Sequence, residues 1–362
     1  MNRRRFLASL AAAPAAAAAG TAQAQFSPGP EDLATSAAEV WQAWKAAFLL
    51  PEGRVVDRLQ RQSSHSEGQG YGMLLATEFN DREAFQRMLA WTEANLAVRP
   101  DALLAWRWLP DPAAPVPDTN NAADGDLFFA WALVRAARRF GERRFLDRAT
   151  DTALALVQRC LIPSPARASD LLLLPGAYGF VTDERVVINP SYLMPLAMRE
   201  VAAATGAVEL ALAAQHGEAL LAQLATEGLV PDWVQVSPAG LAPADGFSAN
   251  AGYEAIRVPL FLIWSGQTGH PAVTNMTRFY ERTLRPGQPV PTIIEPVSGM
   301  VLEASPDPGY QAVAGLVACA GQPGQVGARI PPFQPAQPYY PATLQLFAMI
   351  AANTTSPQCV PV

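Results

Sequence analysis

The sequence predicts an all-α fold, a closed double ring of helices in which six hairpins form an (α/α)6 barrel. Three observations predict it. Apolar residues recur at helical spacing through most of the chain. Strand and helix do not alternate in the manner of a parallel sheet. Five segments open on polar or aromatic residues and run into apolar helix, beginning near Glu67, Asp124, Ser191, Glu254 and Tyr310, at intervals of 57, 67, 63 and 56 residues. Each interval holds a helix out, a helix back and their loops. Six such hairpins closed in a ring point every second helix N-terminus at one face. A solenoid of helix pairs has a similar period, but the chain lacks the self-similarity of such repeats.

The first 24 residues are set aside as a signal peptide. Asn2-Arg3-Arg4-Arg5-Phe6-Leu7 has the twin-arginine pattern, an alanine-rich apolar stretch follows, and Ala22-Gln23-Ala24 is a small-residue cleavage site before Gln25. The apolar stretch is too short and small-sided for a membrane span. A periplasmic or secreted protein is the expectation. Removing three arginines moves the formal charge from −6 to −9, a balance unsuited to nucleic acid. No later segment of the mature chain has the length and apolarity of a membrane anchor. Residues 25–362 read as a single domain, because prolines gather between periodic segments, as at Pro110-Asp111-Pro112 and Pro331-Pro332, and no low-complexity linker divides them. The three cysteines, Cys160, Cys319 and Cys359, are odd in number and widely spaced, which as a sequence pattern excludes a disulfide framework or a zinc cluster. Cys160 and Cys319 are expected in the core.

The elements follow in order. Val40, Trp41, Trp44 and Phe48 set a helical rhythm over Glu39 to Leu50, and Phe85, Met88, Leu89, Trp91 and Leu96 set another over Arg82 to Leu96. Between them stands His65-Ser66-Glu67-Gly68-Gln69-Gly70-Tyr71-Gly72-Met73, leading into a helix through Phe79. Three glycines at alternate positions cost about 1 kcal/mol each relative to alanine in a helix, so something approaches this backbone closely. Glu67 then lies near a helix start. It is either a carboxylate suited to the helix dipole or a catalytic acid in a crowded cleft. Further helices are predicted over 125–140, 145–160, 190–204, 207–225, 252–266, 271–284, 309–319 and 339–352, making eleven or twelve in all. Arg185-Val186-Val187-Ile188 reads as a short loop strand.

Polar clusters precede several of these helices. One N-cap accounts for one residue of Asn120-Asn121-Ala122-Ala123-Asp124-Gly125-Asp126; the surplus suggests a lined cleft. Trp106 and Trp108, two apart in an extended piece, face one side, as an aromatic platform for sugar rings or, for Trp108, as a half-buried prop under a loop. Asn189-Pro190-Ser191-Tyr192 opens another inner helix with proline in its first turn, and Asp232-Trp233 reads as a loop aromatic. In Gly252-Tyr253-Glu254-Ala255-Ile256-Arg257-Val258-Pro259, Glu254 and Arg257 are three apart and Tyr253 and Arg257 four apart. The apolar surroundings bury this pair, and a buried ion pair is expensive unless its charges are matched or used.

Together the motifs around Glu67, Asp124, Tyr192 and Glu254 resemble glycoside hydrolase family 8, in family order from about Val40 to the C-terminus. The resemblance is greatest to the periplasmic endoglucanases that accompany bacterial cellulose synthase. It implies an (α/α)6 barrel, an inverting endo-β-1,4-glucanase, no cofactor and no metal, with a β-1,4-glucan chain as substrate and the cellulose synthase export machinery as a partner. By motif, Glu67 matches the general acid and Asp124 the aspartate that holds the distorted sugar. Trp106, Tyr192, Tyr253 and Arg257 match cleft-lining positions. Two positions depart from the family. Ala123 replaces a hydroxyl residue, and Glu254 stands where the family's general base is an aspartate. One extra methylene moves the carboxylate by about 1.5 Å. Asp245 is the alternative base. The departure keeps open a catalytically weakened, cellulose-binding protein, and xylan or chitosan remain alternative substrates. His65 is expected as a hydrogen-bonding support.

Overall fold

Helices that are mostly buried on nearly every face stand inside a ring of others that bury one stripe. The computed structural model describes residues 30–361 apart from 183, 184 and 323, so the leader lies outside the described residues. The helices are α1 (Pro30–Phe48), α2 (Ser66–Glu78), α3 (Arg82–Asn95), α4 (Ala123–Phe140), α5 (Arg143–Cys160), α6 (Pro195–Thr205), α7 (Val208–Leu224), α8 (Arg257–Trp264), α9 (Pro271–Thr283), α10 (Pro308–Ala320) and α11 (Tyr339–Thr355). In α5 the buried residues Phe145, Ala149, Thr152, Ala153, Leu156 and Cys160 make one stripe, with Ala155 at its edge, which marks an outer helix. In α2 every residue from Gly68 to Thr77 is buried, which marks an inner one. The inner helices α2, α4, α6, α8, α10 and α11 pack in succession, and α1 packs on α11. Tyr71 of α2 closes the ring, meeting Phe128 of α4 at 4.5 Å and Phe347 of α11 at 4.9 Å. Trp264 of α8 lies 5.3 Å from Trp131 and 5.1 Å from Phe347. The axis is therefore filled with aromatic rings. No helix among the described residues is long and apolar enough to cross a membrane.

The eleven helices of the described residues match the predicted number, and the one hairpin that lacks its outer helix follows α10. There, residues 321–338 carry prolines at 331, 332, 335 and 338, which deny a helix its donors. The segment instead runs against α10, where Gly315 leaves room: a Cβ there would stand 2.3 Å from the Arg329 carbonyl oxygen.

The two ends of the barrel differ. Loops from an inner helix out to its partner are short, as at 79–81, 141–142 and 206–207. Loops leading from an outer helix to the next inner helix are long and carry the nine strands of the described residues: β1 (Ser64–His65), β2 (Arg107–Trp108), β3 (Leu161–Pro163), β4 (Leu171–Leu173), β5 (Val186–Ile188), β6 (Val234–Ser237), β7 (Gly240–Pro243), β8 (Val290–Ile294) and β9 (Val301–Ser305). They form small antiparallel units, β1 with β2, β3 with β4, β8 with β9, and the three-stranded β5-β6-β7. The functional end is therefore the one where inner helices begin.

Two expectations are corrected here. Cys319 and Cys359 are joined in a disulfide, while Cys160 is a free, buried thiol. Sequence spacing was a poor guide because α10 and α11 are adjacent and parallel: Gly309 abuts the Pro341 carbonyl at one end, and the bond joins the last turn of α10 to the chain just past the other end of α11. A cross-link spanning 40 residues restricts the unfolded chain by about 2–4 kcal/mol. Replacing both cysteines by serine is expected to lower the urea midpoint accordingly, and a midpoint insensitive to the change or to reductant would exclude a stabilising bond. The second correction is that α8 begins at Arg257, not near residue 252. Tyr253 and Glu254 stand in the preceding turn rather than on its face.

Candidate active site

The long-loop end converges on one guanidinium. Arg257, the first residue of α8, has a side chain only 2 % exposed. Its Nη1 donates to Glu67 Oε2 at 2.5 Å, to Tyr71 Oη at 2.9 Å and to Asp124 Oδ2 at 3.3 Å. Its Nη2 donates to Glu254 Oε2 and, at 2.7 Å, to Ser191 Oγ. Ser191 Oγ in turn donates to Asn189 Oδ1 at 2.7 Å. Four of the five predicted inner starts thus meet at one residue. The fifth, Tyr310, lies 5.8 Å from the Tyr253 ring.

Glycines make the Glu67–Asp124 approach possible. A Cβ on Gly70 would lie 2.9 Å from Phe129 N, and one on Gly125 would lie 2.2 Å from Ser66 Oγ and 2.7 Å from Glu67 N. The close neighbour of this glycine-rich backbone is therefore α4. Helices α2 and α4 meet at their N-terminal ends, and Glu67 and Asp124 are pressed together there.

The electrostatics follow from the count of charges. Three carboxylates share one buried cation. Glu67 is pushed up to about 8, first by burial and then by Asp124 and Glu254, against the pull of Arg257. Glu67 and Asp124 both accept from Arg257 Nη1, and the closeness of the two carboxylates favours a proton on Glu67. Glu67 and Glu254 keep 22 % and 28 % of their side-chain surface, whereas Asp124 keeps 3 %. The first two reach the cleft, and the third supports from below. No group of three or more potential ligands is set for a metal among the described residues.

Residues 19–354 match the model of glycosyl hydrolases family 8. The chain belongs to glycosyl hydrolase family 8. This family 8 hydrolase is 34 % identical to a probable endoglucanase of Novacetimonas hansenii over 92 % of its own length and 97 % of that protein. It is similar to the solved endo-β-1,4-glucanase CMCax of Acetobacter xylinum, with a TM-score of 0.77 at 32 % identity over 89 % of this chain and 98 % of that one. It is also similar to the endoglucanase of Komagataeibacter sucrofermentans, with a TM-score of 0.79 at 31 % identity over 88 % and 98 % of the two chains.

In the family 8 hydrolase the other predicted residues take distinct places. The Trp106 ring stacks on His65 at 5.9 Å, and its Nε1 donates to Asp118 at 2.9 Å. Its carbonyl accepts from Ser66 N at 3.0 Å, which sets it beside the start of α2. His65 Nε2 bonds Ser63 Oγ at 3.0 Å, a supporting role as expected. Trp108 does not share the platform: it packs edge-on against Trp91 at 5.6 Å, beneath the Arg54 guanidinium. Tyr192 is buried, with its ring 5.8 Å from Arg257. Tyr253 is half-buried, and its hydroxyl bonds Glu303 of β9. The cap residue of α4 is Ala122, which offers no side-chain acceptor. Asp124 turns to Arg257. Asn121 and Asp126 turn to the loops, Asp126 accepting from Leu104 N at 2.8 Å and from Asn121 Nδ2 at 2.9 Å, and Asn121 Oδ1 accepting from Ala177 N at 2.7 Å.

Sequence reasoning missed Tyr340. Its hydroxyl donates to the Tyr253 carbonyl at 2.6 Å, and its ring lies 5.9 Å from Arg257. The signal was present, since Tyr339-Tyr340 opens the sixth inner helix. It lies only about 30 residues after Tyr310, because the intervening outer helix is absent.

Proposed function

We propose that this family 8 endo-β-1,4-glucanase cleaves with inversion, with Glu67 as general acid and Glu254 as general base. The observation that carries the reading is a part-buried Glu67 that shares the buried Arg257 guanidinium with Glu254, a second carboxylate open to the cleft. Inversion needs a protonated carboxyl on the leaving oxygen and a carboxylate that activates water on the opposite face of the sugar. Glu67 gives its proton to the glycosidic oxygen as the C–O bond breaks. Glu254 takes a proton from the water whose oxygen bonds to the anomeric carbon. Arg257 holds the charge of both through the exchange. Arg257 Nη2 donates to Glu254 Oε2, and Ser191 Oγ lies 3.3 Å from the same oxygen; Oε1 meets no protein donor among the described residues, so it is the atom offered to water. Asp124, fixed between Gly125 N at 2.8 Å and Arg257, backs the sugar at the cleavage point, and Trp106, Tyr192 and Tyr253 line its path.

The test is carboxymethylcellulose. Viscosity is expected to fall before reducing ends accumulate, and proton NMR of fresh products is expected to show the α-anomer first. Absence of hydrolysis, or preferential cleavage of xylan or chitosan, would remove the glucanase assignment; an initial β-anomer would remove inversion.

We further infer export by the twin-arginine route and work in the periplasm on glucan made by the cell, on the strength of the leader motif at Arg3-Arg4-Arg5. Replacing Arg3 and Arg4 by lysine is expected to leave precursor in the cytoplasm. Normal export of that variant would point to the general secretory route.

A further inference from the structure

Asp232 is a buried carboxylate that the mechanism above does not use. It lies in the loop between α7 and α8, two residues before β6, and is 6 % exposed. Its Oδ1 accepts from Gly252 N and from Ala255 N, both at 2.9 Å, and its Oδ2 accepts from Ser248 Oγ at 3.0 Å. No cation pairs with it among the described residues. Those two N–H groups bracket Tyr253 and Glu254. The turn is held from other sides as well. Tyr340 donates to the Tyr253 carbonyl, and Ala251 exchanges both backbone bonds with Ile294 of β8 at 2.9 Å. The fit around Asp232 is close, since a Cβ on Gly252 would stand 2.6 Å from Asp232 Oδ2.

Ile256, which precedes α8, offers no side-chain cap. The turn ahead of this helix bonds within itself from Ile256 N to Gly252 O and from Arg257 N to Glu254 O, and Asp232 supplies the acceptor for the two donors on either side of Tyr253 and Glu254. Burial and the charge of Glu254 push the Asp232 carboxyl up to about 6, while the N–H bonds from Ala255 and Gly252 hold it down. A carboxylate is kept in an unfavourable place next to another one, and what it gains there is two bonds to the turn that carries Glu254.

We propose that Asp232 is a positioning residue of the hydrolysis: by fixing Gly252 N–H and Ala255 N–H it aims the Glu254 carboxylate at the attacking water. The proposal rests on the reading of Glu254 as general base. It also supplies what a glutamate in an aspartate's place requires, a rigid base for the longer arm. A misplacement of about 1 Å in such a group can cost on the order of 10²-fold in rate.

Three variants test it on carboxymethylcellulose. Asp232→Ala removes the acceptor from both N–H groups and is expected to lower kcat by about 10- to 100-fold with KM within about threefold. Asp232→Asn keeps an Oδ1 for both donors and is expected to stay within about threefold of wild type. Gly252→Ala, which crowds the carboxylate without removing it, is expected to lower kcat about tenfold, and serves if Asp232→Ala does not fold by near-ultraviolet circular dichroism. The deciding measurement is the double variant. In a Glu254→Gln background, Asp232→Ala is expected to change the residual rate by less than about threefold, because residues acting as a unit are not additive. Full multiplication of the two losses, a loss confined to KM, or wild-type kcat in both folded single variants overturns the positioning role. Glu254→Gln alone at the wild-type rate would instead remove the base assignment, and this proposal with it.

Discussion

Glu67→Gln is expected to reduce turnover of carboxymethylcellulose by about 10²–10⁴-fold, the range typical of a lost general acid, with the fold intact. The amide occupies nearly the same volume, and its Oε1 can still accept from Arg257 Nη1, but it has no acidic proton for the leaving oxygen. Activity within several-fold of wild type would take Glu67 out of the acid role. The pH dependence adds a second reading of the same group. Its carboxyl, raised to about 8, keeps the proton through neutral pH, so the wild-type rate is expected to fall as pH rises through about 8. Stability has a defined sign too. The unfolded chain releases this proton near the ordinary glutamate value of about 4.3, and the folded one near 8. The contribution of Glu67 is therefore fully present below the unfolded value and is lost as pH rises through the folded one. Urea midpoints of Glu67→Gln measured against wild type should shift in favour of the variant between pH 5 and pH 8. A constant difference across that range would contradict a protonated Glu67.

The sequence made the ring and its centre legible for one physical reason. Helices apolar all round must lie inside, and polar residues at their starts have nowhere to go but a shared face. Glu67, Asp124, Ser191 and Glu254 were found by that logic, and all four meet Arg257. What stayed hidden depends on contacts between loops, which no period records. Trp106 and Trp108 share an alternation but not a neighbourhood, because His65 offers one of them a stacking partner and Trp91 takes the other. Asp232 looked like part of a loop because its donors, Gly252 and Ala255, arrive about 20 residues later in the chain. Asn121 and Asp126 looked like cleft residues and instead tie loops to α4. The disulfide was hidden because Cys319 and Cys359 are distant in sequence and become neighbours only when α10 and α11 lie side by side.

Glu254→Gln is expected to lower turnover by about 10²–10⁴-fold with substrate binding retained, as for loss of general-base assistance. The geometry offers few substitutes for Glu254. Asp245, the alternative raised by the sequence, is 82 % exposed and pairs with Arg185 at 2.8 Å, away from the arginine that gathers the other carboxylates. Asp232 is nearer, but three donors occupy its two oxygens, so it has little capacity left to activate water. Glu254 alone combines a bond to Arg257 with exposure to the cleft and an oxygen without a protein donor. Shortening the side chain is the informative control. Glu254→Asp withdraws the carboxylate by about one bond length, ~1.5 Å, toward the place where an aspartate would act, and is expected to keep substantial activity. The glutamine variant leaves Arg257 with one anionic partner fewer, so its unfolding midpoint must be measured beside its rate, to separate a lost base from a loosened site. Should Glu254→Gln hydrolyse carboxymethylcellulose at close to the wild-type rate while Asp245→Asn does not, the water is activated from the rim of the cleft, and Glu254 serves only as a partner of Arg257.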